Sequence, residues 1–146
     1  VARRRLRYRA GMTEEIAITT PGRGLHEITE QIAATVRAAG VESGLCTVFI
    51  RHTSASLVVQ ENADPSARCD LETWLDRFVP DGTGWDHTHE GPDDMPSHIR
   101  AAITATSLSI PIIGGRLGLG TWQGVYIWEH RQRPHTRRIL VHIARG

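Results

Sequence analysis

The sequence contains no lysine, only two cysteines and no long apolar run. Its 17 basic residues, all arginines, are balanced by 16 acidic residues, and the formal net charge is +1. This balance argues against nucleic acid as the main partner, because domains that bind nucleic acid usually carry a basic excess. No apolar run approaches the roughly 18 residues of a membrane-spanning helix, and the N-terminus lacks the apolar core of a signal peptide. We therefore expect a cytoplasmic protein with neither a nucleic-acid nor a membrane partner.

The two cysteines, Cys46 and Cys69, are too few and too far apart to form a disulfide framework or a zinc site with four thiolates. We expect both to be buried free thiols in a reducing compartment. A chain of 146 residues can bury a sizeable core without disulfides or a structural metal. Residues 1–146 are therefore predicted to form a single domain.

Short stretches in which apolar and polar residues alternate predict β-strands with one buried face. The arginine-rich N-terminus shows this alternation and could be a basic arm or an edge strand, of which we favour the strand. Residues 45–50 are rich in apolar and β-branched residues and too few for a core helix, which indicates a buried strand. Pro111 indicates a sheet edge or bulge. A polar turn is expected at residues 131–137. The predicted strands are Arg3–Arg9, Glu15–Thr19, Leu45–Ile50, Leu57–Gln60, Leu108–Ile113, Val125–Trp128 and Arg138–Ala144.

Three segments carry helix signals. Thr29 is a plausible N-cap of a helix that ends at Gly40. A second helix is expected over residues 66–78, with Asp64 as its cap rather than as a metal ligand. A third begins near Asp94, has Pro96 in its first turn, and ends at about residue 104. Because strands outnumber helices and do not alternate regularly with them, we predict an α+β fold: a single compact domain with a mixed, mostly antiparallel sheet or sandwich packed by a few helices.

The segment from His87 to His98 places three histidines and three carboxylates within twelve positions. Its glycine and prolines prevent one continuous helix, so its first half should be an exposed loop. Asp94 precedes His98 by four residues, so in a helix the two side chains share a face. Imidazole and carboxylate groups bind zinc, manganese or iron, whereas sites made only of oxygen favour magnesium or calcium. The segment predicts a transition-metal site; the alternative is a solvated acidic loop.

Two further segments contain candidate residues. His52 follows a predicted buried strand, at the edge where sheets often present functional groups. The glycine-rich segment from Gly114 to Gly124 lacks the Lys-Ser/Thr pair of a P-loop. The backbone N–H groups of Gly114 and Gly115 beside the Arg116 guanidinium would suit a phosphoryl or carboxylate group, but a tight turn into a strand explains the glycines equally well.

Four motifs in order resemble the YjbQ-like family of secondary thiamine-phosphate synthases over roughly residues 28–143, while the first 24 residues match less clearly. The motifs are His52-Thr-Ser-Ala-Ser, Gln60-Glu-Asn-Ala-Asp-Pro65, His87 to His98, and Gly115-Arg-Leu with Gly120-Thr-Trp-Gln-Gly124. The resemblance implies a compact α+β domain, usually a homotrimer, with a metal site near the subunit contacts. The matching residues are His52, His87 and His98, the acidic Glu90, Asp93 and Asp94, and Arg116, Gln123 and Glu129; His89 lies outside the pattern.

The resemblance also implies a reaction, in which a pyrimidine methyl diphosphate is joined to a thiazole phosphate with release of pyrophosphate. We expect His52, His87 and His98 to bind a divalent metal, zinc first, with magnesium as the alternative for a diphosphate substrate. Catalytic roles are expected for Glu61, Glu90, Asp94 and Arg116, and substrate-binding roles for Gly114, Gly115, Arg116 and Gln123. Two other functions stay open: a zinc hydrolase with Glu61 or Glu90 as general base, and a trimer that binds a metal or ligand without catalysis.

Overall fold

The computed structural model describes residues 2–8, 11–82 and 84–146. Among these residues, strands outnumber helices, as predicted. The strands are β1 (Ala2–Tyr8), β2 (Gly11–Thr20), β3 (Gly24–Glu27), β4 (Ser43–Ile50), β5 (Ala55–Glu61), β6 (Ser107–Ile113), β7 (Arg116–Leu117), β8 (Gln123–Glu129) and β9 (His135–Arg145). The helices are α1 (Thr29–Ala39), α2 (Pro65–Phe78) and α3 (Asp94–Ile103). Arg9, the last residue of the first predicted strand, lies outside the described residues.

The strands form two sheets with antiparallel pairing. The larger sheet has the order β1-β2-β9-β4-β6-β7, and the smaller has the order β3-β8-β5. The N-terminal strand is an edge strand, as its alternation predicted, and Pro111 lies in β6, which pairs with the two-residue β7 only through Ile112 and Ile113. The single α+β domain with mostly antiparallel strands is thus confirmed. Among the described residues, no helix combines the length and the apolar character needed to cross a membrane.

The main hydrophobic core lies between the two sheets and α1. Strand β8 shows how the layers stack, because its side chains alternate between two clusters. Val125 and Ile127 pack into the main core, while Tyr126 and Trp128 pack into a second cluster with Leu75 of α2. The smaller sheet therefore has the larger sheet on one face and α2 on the other.

Several local predictions need correction. The strand predicted as fully buried, β4, buries only alternate residues: Leu45 is 41% exposed and Phe49 is 43% exposed on the outer face of the larger sheet. Cys46 is buried, and burial raises the pKa of its thiol to about 12, but Cys69 is exposed on α2. Thr29 is not the N-cap of α1, since that position belongs to Ile28.

Other local predictions hold or shift by a few residues. Gly40 ends α1 in the left-handed conformation, with φ 64°, as its place after the helix predicted. Asp64 caps α2, because its side chain accepts a hydrogen bond from the Ser66 backbone N–H. The closing strand begins at His135 rather than Arg138, because residues 135–137 already pair with β2. The polar turn before it is correspondingly shorter.

Candidate metal centre

His87, Asp94 and His98 meet at one point on the surface, with one ligand atom of each within 4.8 Å of the others. The Asp94 Oδ2 atom lies 2.6 Å from His87 Nε2 and 3.4 Å from His98 Nε2. Asp94 and His98 project from the same face of α3 because they are four residues apart, as predicted. The loop before α3 supplies His87. Helix and loop together thus place two imidazoles against one buried carboxylate.

The hydrogen bond on the far side of His98 defines which nitrogen faces Asp94. His98 Nδ1 lies 2.8 Å from the backbone oxygen of Thr53. A carbonyl oxygen can only accept, so Nδ1 carries the hydrogen and a neutral His98 turns an Nε2 lone pair toward the Asp94 carboxylate. His87 Nε2 approaches the same carboxylate oxygen, so the three groups converge on one place, where a metal ion would be bound by all of them. A backbone carbonyl behind the ring is also the usual outer partner of a metal-bound histidine.

The donor set is therefore two imidazole nitrogens and one carboxylate oxygen. This set suits zinc, manganese or iron, and three protein ligands leave a position for a substrate or water. The residues present thus fit the divalent metal that the resemblance implies.

An open cavity of about 640 Å³ adjoins this cluster. Thr53 and Thr106 line it together with the histidines, while α3 contributes apolar side chains on either side of His98. The complete lining is His52, Thr53, His87, Met95, His98, Ala101, Ala102 and Thr106. A ligand bound to the cluster would therefore contact both polar and apolar surface.

His52 lines this cavity, but its ring nitrogens already face other groups. Its Nε2 accepts a hydrogen bond from the Arg138 backbone N–H at 2.7 Å, and its Nδ1 lies 3.4 Å from the Arg137 guanidinium. Burial, reinforced by Arg137, lowers the pKa of His52. Metal binding by His52 would require it to give up the Arg138 hydrogen bond. The structure brings two of the three predicted histidines together with Asp94, and the role of His52 stays a prediction.

The acidic loop is held by Arg131, which the sequence analysis placed in a polar turn without a role. The Arg131 guanidinium binds Asp93 Oδ2 at 3.1 Å, Asp94 Oδ1 at 2.8 Å and the Glu90 backbone oxygen at 2.8 Å. Burial acts to raise the pKa of Asp93, but hydrogen bonds from the Gln132 N–H and from Arg131 leave it lowered. The Glu90 carboxylate is 67% exposed and also contacts Arg131. Asp93 is thus paired within the protein, while Asp94 also faces the histidines.

A buried carboxylate connects the two sides of the site. Glu129 accepts hydrogen bonds from the backbone N–H groups of His130 and Arg131 and from the Arg137 guanidinium. Burial acts to raise the pKa of Glu129, but the hydrogen bonds, with Arg137 first, leave it lowered. Because Arg137 also approaches His52, Glu129 links the wall that contains His52 to the turn that carries Arg131.

The glycine turn, residues 114–116, lies at the other end of the larger sheet. The Gly115 N–H donates to the Glu42 backbone oxygen, just before β4 begins, whereas His52 follows the end of β4. That strand has eight residues, and at about 3.3 Å per residue its ends lie roughly 23 Å apart. Gly114, Gly115 and Arg116 are therefore far from the histidine cluster of the same chain.

Glu61 and Gln123 also lie far from the cluster. They pair with each other at the opposite end of the smaller sheet from the pair of Ala55 and Glu129. Glu129 lies at the end that leads to the cluster, because it binds the backbone of Arg131, whose guanidinium contacts Asp94. The Gln123 side chain accepts a hydrogen bond from the Gly120 N–H. The structure thus separates the predicted residues into a histidine group at one end of the strands and a glycine-turn and Glu61 group at the other.

Comparison with known proteins gives consistent matches. A family model described as "UPF0047 protein YjbQ-like" matches residues 14–146. The chain is 57% identical to a UPF0047 protein of Synechocystis sp. over 132 residues, which cover 90% of both chains. It is 44% identical to the UPF0047 protein YjbQ of Salmonella typhimurium over 128 residues, 86% of this chain and 91% of that one. A crystal structure from Clostridium acetobutylicum, described as an uncharacterised conserved protein of the YjbQ/UPF0047 family, superposes with a TM-score of 0.81 at 35% identity, covering 88% of this chain and 98% of that one.

Proposed function

Because the chain belongs to the YjbQ-like UPF0047 family, we propose that it is a cytoplasmic, metal-dependent transferase with thiamine-phosphate synthase activity as a secondary activity. In this reaction the thiazole nitrogen forms a bond to the methylene carbon of the pyrimidine. The carbon–oxygen bond to the diphosphate breaks, and pyrophosphate leaves with the bonding electrons. The observation that carries the proposal is the convergence of His87, Asp94 and His98, whose ligand atoms lie within 4.8 Å of one another beside an open cavity.

Each part of the cavity has a role in this proposal. His87, Asp94 and His98 would hold the metal, which when bound supplies positive charge to the diphosphate oxygens. Zinc is the metal that the donor set favours most, and magnesium is the alternative when the diphosphate contributes ligands. Met95 and Ala102 give an apolar surface on which a substrate ring can lie and exclude water.

The glycine turn enters the proposal through a second chain. We propose a homotrimer, in which the Gly114 and Gly115 N–H groups and the Arg116 guanidinium of one chain complete the site of its neighbour. Leu45, Phe49 and Ile113 expose apolar side chains on the two neighbouring strands β4 and β6, which supports such an assembly because a subunit contact there would bury apolar surface.

Zinc-dependent hydrolysis is less well supported. One predicted base, Glu61, lies at the far end of β5, and the other, Glu90, contacts Arg131 rather than a histidine. A base would have to come from His52 or from another chain. The third hypothesis, a trimer that binds a metal without catalysis, predicts metal binding without any turnover.

The test combines metal analysis and synthase turnover on the full chain. Mass spectrometry of wild type should find about one zinc, manganese or iron per chain, and H98A should lose both the metal and the turnover. H89A is the matched control, because His89 lies in the same loop but outside the cluster. H52A reports whether His52 is a third ligand. Full turnover in H98A at saturating substrate would refute the proposal, and ester hydrolysis without synthase turnover would favour the hydrolase.

A further inference from the structure

Arg131 has a role that neither the sequence motifs nor the family comparison assigns. We propose that it is a positioning residue for the metal site, which fixes Asp94 as a ligand through a single oxygen and gives the site its preference for transition metals over magnesium and calcium. This inference rests on the metal site of the proposed function.

Three contacts fix the Arg131 guanidinium against the acidic loop. The Arg131 guanidinium uses three nitrogens on three partners: Nε on Asp93, Nη1 on Asp94 Oδ1, and Nη2 on the Glu90 backbone oxygen. The side chain is only 5% exposed, so the planar fork is held on all sides. With Oδ1 engaged at 2.8 Å, Asp94 offers only Oδ2 to the histidines. A lysine could not reproduce these three contacts, because an ammonium group is a compact point charge.

Arg131 also balances the negative charge of the acidic loop. Glu90, Asp93 and Asp94 lie within five positions of each other, and without a cation their oxygens would form the kind of cluster that binds calcium or magnesium. Arg131 contacts all three carboxylates. Among the described residues, the group whose ligand atoms converge contains only Asp94 of these three, together with the two histidines. The arginine thereby leaves a nitrogen-rich site, which suits a transition metal.

The backbone of Arg131 is itself anchored in the core. Its backbone N–H donates to the buried Glu129 carboxylate, and Glu129 is fixed by Arg137 on the neighbouring strand β9. The backbone of Arg131 is therefore held in the core, and its guanidinium contacts the acidic loop from that fixed position. Exposed Arg133, two residues further along the same turn, provides a matched control.

The experiment titrates the metal-free full-length protein with Co²⁺ and follows the visible absorption that reports the coordination of the ion. We expect R131A to bind Co²⁺ about 10-fold to 100-fold more weakly than wild type, with a changed spectrum and a smaller preference for Co²⁺ over Ca²⁺ in competition. R133A should match wild type. R131K should recover part of the melting temperature lost in R131A but not the wild-type spectrum, which separates positioning from stabilisation.

The outcomes are distinct. If wild type binds neither Co²⁺ nor Zn²⁺, the metal site of the proposed function fails, and the inference fails with it. If wild type binds Co²⁺ and R131A shows the same affinity, spectrum and selectivity, only the role of Arg131 is overturned. Should R131A fail to fold, R131K decides: a wild-type spectrum and affinity in R131K would overturn the need for the guanidinium fork.

Discussion

His130 is a fully buried histidine beside the site. Its Nε2 lies 2.9 Å from the hydroxyl of Ser56, which is also buried, and among the described residues its Nδ1 has no hydrogen-bond partner. Burial, with the nearby Arg100 adding to it, lowers the pKa of His130 from 6.5 to about 3. The histidine is therefore neutral in the folded protein at neutral pH, and protonating it would require placing an unpaired charge in the core.

We predict that His130 makes the protein less stable in mild acid. Its pKa is lower in the folded than in the unfolded chain, so between about pH 6.5 and pH 3 the unfolded chain binds more protons. In this range its contribution to the free energy of unfolding falls as the pH falls, by at most about 1.4 kcal/mol per pH unit. Urea unfolding at pH 7 and pH 5 should show a smaller loss in H130F than in wild type. H89A, which changes an exposed histidine, should keep the wild-type loss, and parallel behaviour of H130F and wild type would contradict the prediction.

The sequence predicts those parts of the site in which the contacting residues are close together in the chain. Asp94 and His98 are four positions apart, so helical geometry alone places them together. Arg131 is 37 positions from Asp94 in the sequence. Arg138, whose backbone N–H donates to His52, is 86 positions from His52. No sequence pattern indicates which arginine of a polar turn will contact an acidic loop that lies far away in the sequence. A buried environment decides that, and burial depends on the complete fold.

Helix α3 carries two of the cluster residues in its first half and is fixed to α2 by its second half. Arg100, which is 1% exposed, donates through Nε and Nη2 to the backbone oxygen of Val79 and through Nη1 to the Asp76 carboxylate. These bonds satisfy a carbonyl at the end of α2, where helices leave their last carbonyls without an intrahelical partner. The position of His98 thus depends on a contact made by Arg100, two residues further along the same helix.

We predict that R100A lowers the free energy of unfolding by about 1–3 kcal/mol, because the buried Val79 oxygen loses its partners. Metal affinity should fall as well, since α3 loses the contact that orients it. Urea unfolding and metal titration measure the two effects separately. R77A, which removes an exposed arginine from the last turn of α2, should change neither. An R100A protein as stable as wild type would show that water replaces the guanidinium at Val79.

At the level of elements, the sequence predicts helices better than strand surfaces. Proline and aspartate at the start of α3 and glycine after α1 are local signals, and the structure confirms the ends that they predict. The run Leu45–Ile50 looked buried on both faces because every residue but Thr47 is apolar. Its outer face is nevertheless exposed in the single chain. An apolar side chain indicates that burial is favourable there, but it does not indicate which surface covers it.

For the whole molecule, the irregular order of strands and helices sufficed to predict an α+β fold with mostly antiparallel strands. It did not predict the separation into two stacked sheets, or which strand ends lie together. Those features come from pairings such as β4 with β9, which join segments far apart in the sequence. As a result, residues that were expected to form one site fall into two groups at opposite ends of the strands.

The two groups lead to a prediction about subunits. If the glycine turn of one chain completes the histidine cluster of its neighbour in the proposed trimer, H98A and R116A should each abolish synthase turnover when pure. Trimers assembled from an equal mixture of the two variants should recover activity, because about a quarter of the sites would receive an intact His98 from one chain and an intact Arg116 from another. The measurement is turnover after mixing the unfolded variants and refolding them together.

Two controls test whether recovered turnover comes from sites that are shared between chains. Variants mixed as folded proteins without subunit exchange should stay inactive, and the double variant H98A/R116A mixed with wild type should give no more activity than dilution of wild type allows. If both residues act within one chain, every chain in the mixed trimers carries one defect, and no activity can return. Absence of recovery in well-folded mixed trimers would therefore place Arg116 outside the site of the neighbouring chain. Full activity of pure R116A would instead remove the glycine turn from the site, while the histidine cluster, which lies wholly within one chain, would keep its proposed role.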